Sequence, residues 1–533
     1  MKKWEKLYRL LFVGLPAALY LSYYPVITLG SDATMNFELS VALLWLVATA
    51  LCGVGALASR GKLWAAVRKW VQRKWLWILF PAWVTLSVIW SLNMARGALT
   101  VGVIWLIMIV VVEMIELREM VADEWVRRWF PRVFVGATLL VCVWCVAQCV
   151  MDVMGVSREY SLLCLGCTSR TFGFPHPNGF AIEPQFMGNL LIAPAMTLGY
   201  MCLKKQNSKI SERECSRGDN FYNGSGGVRT KLQFRDSLRD RCKNYSGSHF
   251  LCSEILLFCF SATLFLTFSR GAIYAFLVGV AVMSAVGIVK KMGWKRLAAV
   301  WGLIVGAFMV TLVAQGVMAE VGPTNDTFGT AVAKVLNHLS LGVVDVRGSQ
   351  SDSLSEKTQA PSSGSEVVEK PVENSDENRG DVDESESGTM ARQEAIFDGY
   401  AEESTNIRVG LTNAALAVWM RDFKTLAVGV GIGGAGEALY KYGFNDSPKE
   451  IVQNEYASVL VETGAVGAIL ALVVVVLGVR FLVRRQMWAV VCLVAAYGVS
   501  LFFFSGVANA LQIYVMPAVL AVFGLSQRKS SKD

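Results

Sequence analysis

Uniformly apolar stretches, each long enough for a helix to cross a hydrocarbon layer, recur along almost the whole chain. A helical span needs roughly 20 mostly apolar residues. Runs of this kind lie near Leu10–Leu29, Leu39–Ala58, Leu76–Trp90, Ala98–Met114, Val133–Met154, Phe186–Leu203, Phe250–Phe268, Gly271–Val289, Leu297–Met318, Gly464–Val483, Met487–Phe504 and Leu511–Leu525. They are apolar throughout rather than alternating at period two. That pattern predicts helices and not a membrane barrel, because a helix in lipid satisfies its own backbone. The expectation is an all-α polytopic membrane protein with about twelve transmembrane helices.

The loops between these runs carry charge unevenly. Short cytoplasmic loops accumulate Lys and Arg, and assigning alternate loops to opposite sides puts the basic clusters on one side. They are Lys2, Lys3, Lys6 and Arg9; Arg60, Lys62, Arg68, Lys69, Arg73 and Lys74; Arg118, Arg127, Arg128 and Arg132; the loop Lys204–Lys243; Lys290, Lys291, Lys295 and Arg296; Arg480, Arg484 and Arg485; and Arg528, Lys529 and Lys532. Both termini of this multi-pass protein are then expected in the cytoplasm. The basic run before the first span resembles a signal peptide, but the apolar stretch is long and lacks a convincing cleavage site, so it is read as a retained span.

Composition agrees with a bilayer as the solvent. Of 533 residues, 54% are hydrophobic and 17% charged, against about a quarter charged in soluble domains. The net charge of +8 is accounted for by loop topology, so no nucleic-acid partner is expected; membrane lipids are. Three regions follow. Residues 1–318 form a membrane region of nine spans with a basic cytoplasmic loop at 204–248. Residues 319–455 form an outer segment, and its acidic, Ser-rich insertion at 349–387 has too few large apolar residues to fold. Residues 456–533 hold the last three spans and the tail, so the long outer loop precedes them.

Most of the twelve cysteines fall inside spans, as small apolar residues. Cys164 and Cys167 share an outer loop, where either a disulfide or two plain thiols fits. Nothing nearby completes a zinc site, so no metal and no cofactor is expected.

Candidate chemistry lies at the outer ends of the spans, where arginines run against the charge rule. Arg170 opens Arg-Thr-Phe-Gly-Phe-Pro-His-Pro-Asn178, Arg270 sits in Ser269-Arg270-Gly271, and Arg408 begins an amphipathic pattern with Ile407, Leu411, Ala415 and Trp419 on one stripe. A guanidinium offers forked donors to phosphate oxygens; taken singly, each is better read as snorkelling to headgroups or pairing with a nearby carboxylate, and the three together with the motif below reverse that balance. The stretch Gly429-Val-Gly-Ile-Gly-Gly-Ala-Gly436 contains a formal G-x-G-x-x-G, but no βαβ unit surrounds it, so a flexible turn is expected there rather than a nucleotide site.

Gln453-Asn454 precedes nine residues and then Gly464-Ala-Val-Gly467. This arrangement resembles the signature of the O-antigen ligase and polymerase superfamily, in which His followed by Asn, Ser or Gln precedes nine residues and G-x-x-G. Ser269-Arg270-Gly271 resembles the S-R-G connection of that family, Gly173–Asn178 its F-x-H-P-N segment, and Arg408–Gly433 its R…W…G-x-G region. The likeness covers the C-terminal two thirds of the chain. It implies a GT-C-like helical architecture and transfer of a glycan from a polyprenyl-diphosphate carrier to a glycan or lipid acceptor at the outer face of a bacterial cytoplasmic (inner) membrane.

On that likeness Arg270, Arg408 and Asn454 are the expected catalytic residues, and Arg170, His176, Asn178, Gln453, Gly464 and Gly467 the expected substrate-binding ones. Gln453 stands where ligases carry His, and an amide is no proton acceptor. His176, Glu455 and Glu462 are the substitutes to test, although His176 also suits a bond to loop backbone and Glu462 a neighbouring helix. Ligase and polymerase both stay open. A transporter of lipid-linked sugars is the alternative from another class, since twelve spans with both ends inside is a common transporter layout.

Overall fold

A computed structural model describes residues 2–22, 25–29, 37–154, 175–181, 183–204, 253–322, 327–340, 406–449, 451–507 and 510–529. Arg170, Cys164, Cys167, Gly173, the acidic insertion and all but the first residue of the Lys204–Lys243 loop lie outside them.

The described chain is all-α apart from one small hairpin. Its helices are α1 (Lys2–Leu19), α2 (Val41–Ser59), α3 (Leu63–Arg73), α4 (Leu76–Ser87), α5 (Met94–Glu116), α6 (Arg118–Val121), α7 (Glu124–Val153) and α8 (Pro184–Leu203). There follow α9 (Ser253–Leu266), then α10 (Arg270–Val289), α11 (Trp294–Val321) and α12 (Phe328–Leu339), then α13 (406–419). The last are α14 (Phe423–Val428), α15 (Ala435–Lys441), α16 (Glu455–Arg484), α17 (Trp488–Ser500) and α18 (Leu511–Lys529).

Seven of these, α2, α5, α7, α8, α10, α11 and α16, are long and apolar enough to cross a membrane, and shorter apolar helices occupy Leu76–Trp90, Ser253–Leu266, Trp488–Ser500 and Leu511–Gln527. This is the architecture of an all-α membrane protein. Small residues let the helices approach: α10 lies along α17 where Gly279 meets the Ala496 methyl, and one apolar core runs through α1, α2, α5, α7 to α11, α17 and α18.

The first apolar run departs from expectation. It was predicted as a span over Leu10–Leu29, whereas α1 covers Lys2–Leu19 and Pro25–Leu29 is a strand, β1, paired antiparallel with β2 (Phe37–Ser40). Pro25 lacks the N–H that a helix would use, and Val26, Ile27 and Thr28 are β-branched residues that suit a pleated ribbon. At the other end α1 begins at Lys2, ahead of the apolar run, and Glu5 in its first turn pairs with Arg60 at 2.8 Å.

Charged contacts gather at one end of the bundle. Arg9 meets Asp123 at 2.8 Å, Lys69 meets Glu116 at 2.7 Å, and Lys290 donates to Gln486 at 3.0 Å. All join helix ends that carry the basic clusters; the opposite end holds α12 to α15 and the start of α16.

Candidate active site

At that opposite end, two structures are built around the motifs. The first is a turn, Thr267-Phe268, between α9 and α10. Phe268 takes a positive φ of 47°, and the carbonyls of both residues are bonded to histidines. His176 donates to the Thr267 carbonyl, and its ring stands edge-on to the Phe268 ring at 5.5 Å. His338, near the C-terminus of α12, places Nε2 3.2 Å from the Phe268 carbonyl. A carbonyl only accepts, so Nε2 carries the proton. Ser269 caps α10 through a bond from the Ala272 N–H, and Arg270 is the first residue of that helix.

The electrostatics of His338 show which groups share the site. Burial is the main cause holding its imidazole down at about 3; the charge of Arg270 follows, then His176 and Arg408, while the Phe268 carbonyl works in the opposite direction. His176 lies at about 4, chiefly through burial, with the Thr267 carbonyl opposing. Arg270 and Arg408, far apart in sequence, therefore act on one buried, neutral imidazole. His338 was not singled out from sequence. Its signal is a histidine on the buried stripe Ala331, Val335 and His338 of an amphipathic helix.

The remaining residues of the Arg408 stripe behave as follows. Leu411 and Ala415 are buried and Trp419 packs against them; Ile407 is exposed, because it lies at the start of α13, beyond the residues that the short helices α14 and α15 cover. Asn178 is buried, and its Oδ1 accepts from Gln148 Nε2 at 3.3 Å.

The second structure is an interlock between the two glycine motifs. At Gly464 (φ 66°, ψ −176°) α16 breaks its helical path, in a region of backbone space that is essentially glycine-only. A Cβ there would sit on the Ala427 carbonyl. Into this break the Gly429–Gly436 stretch inserts: Val430 N–H donates to the Val461 carbonyl and Gly431 N–H to the Glu462 carbonyl, each at 2.9 Å. Gly431 (φ 92°) also presses on the backbone of Ser91, where a Cβ would lie 2.5 Å from the Ser91 nitrogen. Ser91 Oγ donates to the Ile432 carbonyl at 2.7 Å, and Trp83 Nε1 to the Thr463 carbonyl at 3.0 Å. The expected flexible turn is thus a buried clamp, fixed to α16 by backbone bonds and on its other side by the hydroxyls of Ser87 and Ser91.

Glu462 is held by the same clamp: its carboxylate accepts from the N–H groups of Gly433 and Ala435 and lies near Arg96. Arg96 was also missed, though the rule that picks out the other arginines applies to it just before the predicted span at Ala98. Asn454 caps α16, accepting from the Tyr456 and Ala457 N–H groups at 3.0 and 3.2 Å, with Gln453 half-buried beside it. Gly467 packs under Trp83 and Thr463. Asn454, Gly464 and Gly467 are thus part of the scaffold around the start and break of α16. Glu455 Oε2 accepts from the Gly506 N–H and Oε1 from the Tyr514 hydroxyl, both at 2.8 Å.

Glu455, Glu462 and Arg96 line a cleft of about 2320 Å³ that runs along α5 and α16 to Lys69, Lys74 and Arg485 at the basic end. Arg270 and Arg408 are not on its wall. The turn after α17 lies between: Leu501, Ser505 and Gly506 face the cleft, whereas Phe503 contacts Gly271 and Tyr274 of α10. Among the described residues no group of three or more His, Cys, Asp or Glu could hold a metal ion. No family model matches the chain, and no curated protein matches it.

Proposed function

We propose that the protein is a metal-independent glycosyltransferase of the O-antigen ligase or polymerase type. In this reading it is a GT-C-like bundle of twelve spans in a bacterial cytoplasmic membrane, with its basic end and both termini in the cytoplasm. It transfers a glycan from a polyprenyl diphosphate to a glycan or lipid acceptor for surface polysaccharide assembly. The observation that supports it is the convergence of Arg270 and Arg408 on His338. An acceptor hydroxyl attacks the anomeric carbon, the bond from that carbon to the diphosphate oxygen breaks, and the diphosphate leaves with the electron pair. Preorganised cations stabilise the charge that develops there. Arg270 and Arg408 fill that role, with Arg170 orienting the donor. Asn454, Gly464 and Gly467 act through the scaffold, fixing α16 beside the acceptor path. The acceptor proton passes to a base, for which His176, Glu455 and Glu462 are the groups to test.

The test supplies a polyprenyl-diphosphate oligosaccharide and candidate acceptors to the reconstituted protein and follows carrier release and glycan length. Arginine-dependent release with a transferred or elongated glycan supports the proposal. The cleft favours a second reading, a transporter of lipid-linked sugars, because its lining reaches both ends of the bundle. Intact donor delivered to the opposite leaflet would favour that reading.

A further inference from the structure

The basic end of the cleft has a composition that charge topology alone does not require. Positive-inside bias places lysines and arginines on a side of the membrane but says nothing about their gathering around one apolar groove. Here Lys74, Arg118, Lys204, Arg484 and Arg485 rim the mouth, and behind them the walls are apolar, with Met108 and Val112 on α5 facing Leu472 and Val475 on α16. Lys69 also stands at the mouth but is paired with Glu116, which Trp70 Nε1 holds as well at 3.0 Å. Lys74 lies over the Trp70 ring at 4.4 Å. Burial, then the nearby Lys69 and Arg118 charges, hold its ammonium below the usual lysine range, with Glu116 opposing. Around this mouth the cleft wall carries Lys62, Lys69, Lys74, Arg118, Lys204, Arg484 and Arg485 against two carboxylates, Glu116 and Glu119.

Helix α3 is a second, independent observation at the same mouth. Ala66 and Trp70 face the protein, while Trp64 (79% exposed), Val67, Val71 and Trp75 form an exposed apolar stripe spaced three and four residues apart. An amphipathic helix with an exposed Trp and Val face and flanking Arg68 and Arg73 has the character of a helix lying in a membrane interface. Basic pockets between spanning helices at such an interface take anionic headgroups, with acyl chains against the apolar wall.

We infer that the mouth of the cleft between α5 and α16, flanked by α3, is a binding site for an anionic phospholipid, with its phosphate among Lys74, Arg118 and Arg485 and its acyl chains along Met108, Val112, Leu472 and Val475. The inference is independent of the transferase reading, since it uses the opposite end of the bundle from Arg270 and Arg408.

The experiment titrates the purified full chain in detergent with phosphatidylglycerol or phosphatidylcholine and counts retained lipid by native mass spectrometry. The wild type is compared with Lys74→Gln/Arg118→Gln/Arg485→Gln and with Lys295→Gln/Arg296→Gln, which removes basic residues of the same end that do not line the cleft. The expected result is selective retention of phosphatidylglycerol, reduced at least fivefold in the triple variant and unchanged in the control. Equal retention of both lipids, equal losses in the two variants, or full displacement by soluble glycerol phosphate would overturn the site. Should the triple variant fail to fold, phosphatidylglycerol with a photoactivatable acyl chain is cross-linked to the wild type. Labelling on α5 and α16 upholds the site, and labelling confined to other helices refutes it.

Discussion

His338 Nε2 meets the Phe268 carbonyl at 3.2 Å, so the helix that precedes the acidic insertion is tied to the turn that presents Arg270. The same imidazole lies within reach of the Arg408 charge. Arg270 and Arg408 are thus both near one buried, neutral ring, and on the proposed function they would act there together on a leaving diphosphate.

Arg270→Ala and Arg408→Ala should each lower donor turnover by on the order of 100-fold, the usual effect of removing one preorganised donor to developing negative charge. Arg270→Lys should retain part of the activity, since charge survives while the forked geometry is lost. Membrane insertion and thermal stability should stay near wild type. Carrier release from reconstituted protein measures this; turnover within twofold of wild type in both alanine variants would remove the arginines from the mechanism.

Much of this fold is legible in the sequence, and the reason is physical. Apolar run length reports directly on a lipid solvent, so α5, α10, α11 and α16 lie where the runs predict them. The run through Tyr20 misleads because hydropathy averages over Pro25 and its β-branched neighbours, which decide local geometry. The glycine stretch was legible as a turn but not as a clamp, since its partners at Val461 and Glu462 are backbone carbonyls, which any sequence supplies. The charge rule draws attention to Arg270 and Arg408, whose charges both reach His338, but Arg96 beside Glu462 was passed over. His338 was not legible, because a histidine on an apolar stripe gains its meaning only from the turn it touches.

Stability should fall in mild acid through the two buried imidazoles. Their folded values, about 4 for His176 and about 3 for His338, lie below the roughly 6.5 of an unfolded histidine. Between these values the unfolded chain binds protons that the folded chain does not, so stability is fully present above about pH 6.5 and declines as pH falls towards 4. His338→Gln keeps a donor for the Phe268 carbonyl and removes one titrating group. Thermal melts from pH 7 to 4.5 should show a shallower decline for this variant; parallel curves would mean that His338 does not titrate as its burial requires.

Gly464→Ala should destabilise the protein by several kcal/mol, because the alanine methyl would combine a glycine-only backbone conformation with overlap on the Ala427 carbonyl. Gly478→Ala lies in the same helix with only Trp77 nearby, at 3.8 Å, and should be tolerated. Melting of the detergent-solubilised variants by size-exclusion fluorescence tests the pair. Equal melting points would show that the interlock does not hold α16 in its broken form.

Glu462 separates a scaffold role from a chemical one. Its carboxylate accepts two backbone N–H groups, from Gly433 and Ala435, so Glu462→Ala strips those donors of their partner. That costs about 1–3 kcal/mol where cleft water compensates only in part. Glu462→Gln supplies one oxygen and turns an amide N–H₂ towards a donor, so it should lose part of the same stability. If Glu462 only clamps the glycine turn, melting temperature and transfer should fall together across Gln and Ala. If it also accepts the acceptor proton, Gln should abolish transfer at a temperature where the variant is still fully folded. A Gln variant that transfers glycan at the wild-type rate would leave Glu455 and His176 as the groups able to serve as base.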